Sequence, residues 1–163
     1  MAVQRLVLDS FDDEDYELIA IHCSLPPYRL AFLINKYLGI KLARTEDDVL
    51  FNFQDTIASF QLYKYEDEFR YNTYNLITNV FRVEQQIGPN DAFNLFNTVE
   101  KRTIAKYLIP EYKSVDFFLK ITSETDQIFT KNFLSRLQGI TQIVTAYAVD
   151  YTKLKSKNNL IFE

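Results

Sequence analysis

The sequence predicts an α+β domain: a single, mainly antiparallel sheet with two main helices on one face, in the order β-α-β-β-β-β-β-α-β. Three observations lead there. Two segments carry apolar residues at three- and four-residue spacing, and each runs into a glycine, Gly39 or Gly139. Short β-rich runs surround them. Only three Gly and four Pro occur in 163 residues, too few for a sandwich of many tight turns. At this length one domain is expected over 1–163, and folding hides roughly 70% of the chain's surface.

The elements follow in order. Asp9, Asp12, Asp13, Glu14 and Asp15 make an acidic opening segment within residues 1–15, expected to be less ordered. Glu17 to Ser24 reads as a strand, and Pro26-Pro27 suits the first turn of a helix, where a missing N–H costs nothing. Leu30, Leu33, Ile34, Tyr37 and Leu38 form the apolar stripe of that helix, ended by Gly39 in the left-handed region. A strand over Ile40 to Arg44 and an acidic turn at Glu46-Asp47-Asp48 come next. Ala58 to Tyr65 alternates as a strand, Glu66-Asp67-Glu68 forms a charged turn, and Phe69 to Val83 reads as one long, bent strand.

Gly88-Pro89-Asn90-Asp91 breaks the pattern, and Ala92 to Val99 reads as a loop with a short turn of helix. Arg102 to Ile109 and Val115 to Thr122 are strands joined by Pro110 to Ser114. The second helix spans Glu124 to Gln138, with Ser123 as N-cap and Ile128, Phe129, Phe133, Leu134 and Leu137 as its stripe. Ile140 to Asp150 is the last strand, and 151–163 is a tail expected to be less ordered. A shift of about one hundred residues lays Leu18-Ile19-Ala20-Ile21 over Phe118-Leu119-Lys120-Ile121 and Gly39-Ile40 over Gly139-Ile140. A true duplication or two β-α-β units built by the same rules would explain that echo, and either way two such units flank an antiparallel meander.

Composition excludes several kinds of chemistry. The single cysteine, Cys23, allows no internal disulfide and no multi-cysteine zinc site. His22, the one histidine, is its neighbour. On a strand the two side chains point to opposite faces, so a Cys–His nucleophile pair is not expected. The acidic runs lack EF-hand spacing, and charge runs at turns serve as solvated faces, so no metal is assigned. No Gly-x-Ser-x-Gly elbow and no phosphate-cradling glycine loop can be written. No catalytic residue and no cofactor follow. A net charge of −4 argues against nucleic acid. Nothing resembles a signal peptide or a spanning helix, so no membrane is expected and the protein is read as cytoplasmic.

One segment stands apart. Ile109-Pro110-Glu111 is followed, after three residues, by Val115-Asp116-Phe117. Pro110 withholds a ladder donor and marks a strand end, Glu111 can accept backbone N–H groups in the turn, and Asp116 opens the next strand. This fits a rigid turn buttressed by two carboxylates, a recognition surface of Glu111, Lys113 and Asp116, or a catalytic carboxylate pair. The pattern resembles the signature Ile-Pro-Glu-x-x-x-Val-Asp-Tyr that names a bacterial family, IPExxxVDY. Phe117 stands in place of the final Tyr, which points to packing for that ring. Chain length and the early strand–helix order, with Tyr28-Arg29-Leu30 and Leu38-Gly39-Ile40, are also similar to that family. The resemblance implies no activity.

Tyr63, Tyr65, Phe69, Tyr71 and Tyr74 crowd one hairpin, where cross-strand pairing or a contact surface would explain them. The candidate surface is therefore Glu111, Lys113, Asp116, Tyr63, Tyr65 and Tyr71. The expected function is a non-enzymatic interaction or accessory domain, a homodimer or one with a protein partner. The alternative is a small-molecule-binding regulatory module of ferredoxin-like type, and the third reading is an enzyme with an unrecognised carboxylate site.

Overall fold

The computed structural model describes residues 15–87, 100–125 and 130–162. Asp9 to Glu14, the Gly88 breaker, the loop to Val99 and the stripe residues Ile128 and Phe129 lie outside them.

Strand β1 (Tyr16–His22) sits inside a six-stranded sheet of order β10-β1-β9-β6-β5-β2, antiparallel throughout. Its other members are β2 (Ala43–Arg44), β5 (Leu62–Asp67), β6 (Asn72–Thr78), β9 (Phe117–Ser123) and β10 (Thr145–Val149). The four strands β10-β1-β9-β6 have the order and directions of the split β-α-β motif, with β5 and β2 added beyond β6. Helices α1 (Pro27–Leu38) and α2 (Thr130–Gln138) pack side by side. The α+β class with two helices on one face of a mainly antiparallel sheet holds.

Alternation along the strands explains why both faces are covered. Ile19, Ile21, Leu76, Leu119 and Ile121 point to the helices and meet Leu30, Ile34, Leu38 and Leu137. Leu18, Ala20, Ile77 and Phe118 point the other way, into a second core with Phe60, Leu108, Ile109, Val115, Leu154 and Leu160. Two ribbons help build that second layer: β3 (Val49–Asn52) with β4 (Ile57–Phe60), and β7 (Val80–Ile87) with β8 (Glu100–Tyr107). They raise the strands between the helices to eight among the described residues, against the five expected.

Local chemistry accounts for the altered boundaries. The amide of Asn35 bonds both the N–H and the C=O of Leu42 (2.7 and 3.0 Å), which holds residues 40–42 against α1 and shortens the expected strand to two residues. The long strand from Phe69 divides at Asn79, and the strand from Ala58 divides at Gln61, beside it. The charged turn moves on by two residues: Glu66 and Asp67 close β5, and the Asp67 carboxylate accepts from the N–H groups of Phe69 and Arg70 (3.0 and 3.2 Å). Tyr71 then takes a left-handed φ of 54°.

At α2, Ser123 closes β9 instead of capping the helix, its hydroxyl turned into a local bond with Thr125. Gly39 ends α1 at φ 69°, as the sequence predicts. Residues 140–144 turn before β10, through bonds from Ile140 N–H to Leu137 and Ile143 N–H to Ile140. The two halves of the internal echo lie side by side, with Ile19 opposite Leu119 and Ala20 opposite Phe118.

Candidate functional site

The Ile109–Asp116 segment is wrapped around one buried amide. Asn79 is fully buried. Its Nδ2 donates to the carbonyls of Tyr112 and Val115 (2.8 and 2.9 Å), and its Oδ1 accepts from the N–H of Ile109 (2.9 Å). Its backbone adds two more bonds, donating to Asp116 O and accepting from Leu108 N–H, both at 2.9 Å. Pro110 opens a 3-10 turn, Pro110–Tyr112, where its missing N–H has no helical partner to lose. Ile109 and Val115 are buried beneath, and Phe117 faces the helix side at 5% exposure, so its ring packs.

Asp116 and Glu111 divide the work of fastening this loop to its surroundings. The Asp116 carboxylate accepts the N–H of Cys23 (2.9 Å), and its own N–H donates to Ile21 O, which pins the loop to the end of β1. The Glu111 carboxylate accepts from the hydroxyl and the N–H of Ser156 (2.7 and 3.2 Å). Desolvation raises the Glu111 carboxyl, but hydrogen bonds from Ser156, first its hydroxyl, and from the backbone of Glu111 and Lys155 together outweigh it and hold the group below its ordinary value. Asn159 donates to Leu108 O (2.8 Å) and Lys120 to Leu160 O (2.9 Å). With Leu154 and Leu160 buried, residues 151–162 run as a folded strap of two 3-10 turns across the second core.

The candidate surface residues are therefore not brought together. Lys113 is exposed, its ammonium 5.7 Å from the centre of the Tyr107 ring. Tyr63 is buried on the helix side, since the alternation of β5 turns it inward, and so does not form surface. Tyr65 is half-buried and stacks on Tyr74 at 5.9 Å, and Tyr74 stacks on Phe133 of α2 at 5.4 Å. Tyr71 alone of the three is exposed, at the β5–β6 turn.

His22 and Cys23 diverge, His22 reaching the hydroxyl of Tyr147 (3.1 Å) while Cys23 is buried against Gln142 O. Burial, with the Asp116 charge added, pushes the Cys23 thiol up and away from thiolate chemistry. Among the described residues no group of three or more His, Cys, Asp and Glu could hold a metal ion. No helix among them is long and apolar enough to cross a membrane. A cavity of about 510 Å³ is lined by Asp15, Tyr16, Glu17, Asp150 and Tyr151. There Tyr16 stacks on Tyr151 at 4.0 Å, and desolvation, then the Tyr151 charge, push its hydroxyl up to about 12.

A surface that the periodicity of the sequence signals, and that its motifs do not, is the outer side of the helix layer. Tyr28 and Phe32, one turn apart on α1, are 65% and 64% exposed, and Tyr37 is 48% exposed. Arg29 and Lys36 lie among them, and α2 exposes Lys131 and Arg136. Among the described residues, large rings at that exposure have little to pack against. No protein-family model, curated protein or solved structure matches this chain.

Proposed function

We propose that the protein is a non-enzymatic interaction domain, acting in the cytoplasm through protein contacts, with the helix layer as its contact face. The observation that carries this is the exposure of Tyr28, Phe32 and Tyr37 on one helix, interleaved with Arg29 and Lys36. Aromatic and arginine side chains are the types enriched at the centre of protein interfaces. The motif carboxylates support the same reading from the other side, because Glu111 and Asp116 are both engaged within the chain. Their task is to hold the loop and the strap, which leaves contact to another surface.

The occupant of that face is a second copy of the chain or another protein. Site-directed photo-crosslinking tests the reading: a benzophenone amino acid replaces Phe32 on the helix layer or Lys153 on the strap. Crosslinked protein adducts concentrated at position 32 are expected. Equal yields at the two positions would overturn the helix layer as the contact face.

A further inference from the structure

The charge of the helix layer specifies the chemistry of what binds it, an inference that rests on reading that layer as the contact face. Acidic residues outnumber basic ones in the chain, 22 to 18, yet none falls within α1 or α2. The two helices carry Arg29, Lys36, Lys131 and Arg136, all exposed. Among the described residues none of these four meets a carboxylate. Lys41, Arg82, Arg102, Lys113, Lys155 and Lys157 likewise meet none, whereas Arg44, Lys64, Arg70, Lys101, Lys106 and Lys153 each do. What sets the helix layer apart is that its two helices carry no acidic residue. Among the described residues the cations of the helix layer thus meet no carboxylate, and Lys36, at four-residue spacing from Tyr28 and Phe32, shares one side of α1 with those exposed rings, with Arg29 beside them.

The geometry points to an acidic amphipathic segment of another protein as the partner of this face. Tyr28 and Phe32 offer apolar area to its apolar side chains, Arg29 and Lys36 on the same side of α1 orient its carboxylates, and the cations of α2 add to the attraction. A second copy fits poorly. A two-fold pairing through this face would set the same four cations of each copy against each other, and like charge across an interface is unfavourable. A nucleic acid fits less well too, because it carries a charge at every nucleotide and so meets the repulsion of a chain of net charge −4 more strongly than a segment with a few carboxylates.

Fluorescence anisotropy on the full chain tests this with three labelled probes. They are a peptide of about 18 residues with Glu and Leu at helical spacing, the same peptide with Lys for Glu, and an oligothymidylate of similar length. The acidic peptide is expected to bind at least about tenfold more tightly than the other two, and to weaken as salt rises. The paired reversal Arg29→Glu with Lys36→Glu is expected to cost the acidic peptide about tenfold, in a protein whose melting temperature is unchanged. Tighter or equal binding of the Lys peptide or the oligonucleotide would overturn the acidic partner. If Phe32→Ala still weakens whichever probe binds, the contact face itself survives that result. Absence of binding by all three probes, or binding indifferent to Phe32→Ala, would overturn both.

Discussion

At Asn79 a single side chain supplies two donors and one acceptor to backbone groups 30 to 36 residues away. Removing it strands the buried N–H of Ile109 and carbonyl of Val115, while Tyr112 O keeps the Val115 N–H, and each stranded group costs about 1 to 3 kcal/mol. Asn79→Ala is expected to lower stability by about 3 to 5 kcal/mol, read from urea unfolding midpoints at constant slope. A loss under about 1 kcal/mol would show that the loop keeps its shape without the amide. The residue has a trace in the sequence, since Asn interrupts the β-rich run Leu76-Ile77-Thr78 and Val80-Phe81. Its partners have none, because nothing local in a sequence tells which distant carbonyls will face a given amide. Pro110 was legible for the opposite reason: a missing donor acts where it stands.

Among the elements, α1 was read almost to the residue because its signals are local: Pro27 in its first turn, a 3.6-residue stripe, and Gly39 after its end. Gly39 sits at φ 69° with no atom within 4 Å of where a Cβ would lie, so Gly39→Ala meets strain without a clash. A cost of about 1 kcal/mol is expected by denaturant titration, from the left-handed backbone alone. Strands were read less well. Their ends depend on side chains from elsewhere, such as Asn35 on Leu42 or Asn79 at the β6–β7 break.

The C-terminal strap, which carries no periodicity, is held by Glu111 and adds a pH dependence. The folded-state carboxyl lies below its ordinary value, so its contribution is full above the unfolded-state value near 4.5 and is lost as pH falls through the folded value. Glu111→Gln is expected to cost about 1 kcal/mol at neutral pH, with the difference from the parent protein vanishing in acid. Limited proteolysis at the strap should follow the same profile. A gap that widened below pH 4 would contradict this sign.

For the molecule as a whole, two faces of one sheet carry different duties. One is closed by ribbons, the motif loop and the strap. The other is closed by helices whose outer sides stay aromatic and basic. The sheet-and-two-helix architecture was legible because it follows from alternation and helical spacing. The division of labour was not. The motif reads as a surface, whereas its carboxylates are engaged within the chain, Asp116 by the Cys23 N–H and Glu111, at the surface, by Ser156. The helix stripe signals the buried side of α1, whereas Tyr28 and Phe32 on the other side are exposed.

Thermal unfolding of Asp116→Ala beside Phe32→Ala tests that division most directly. Asp116→Ala strands the Cys23 N–H in the core, a loss of about 2 kcal/mol, and should lower the midpoint by about 4 to 8 °C. Phe32→Ala removes a ring that is 64% exposed and should move the midpoint by no more than about 2 °C. An unchanged midpoint in Asp116→Ala, or an equal fall in Phe32→Ala, would contradict a scaffold at the motif and a free contact face on the helices.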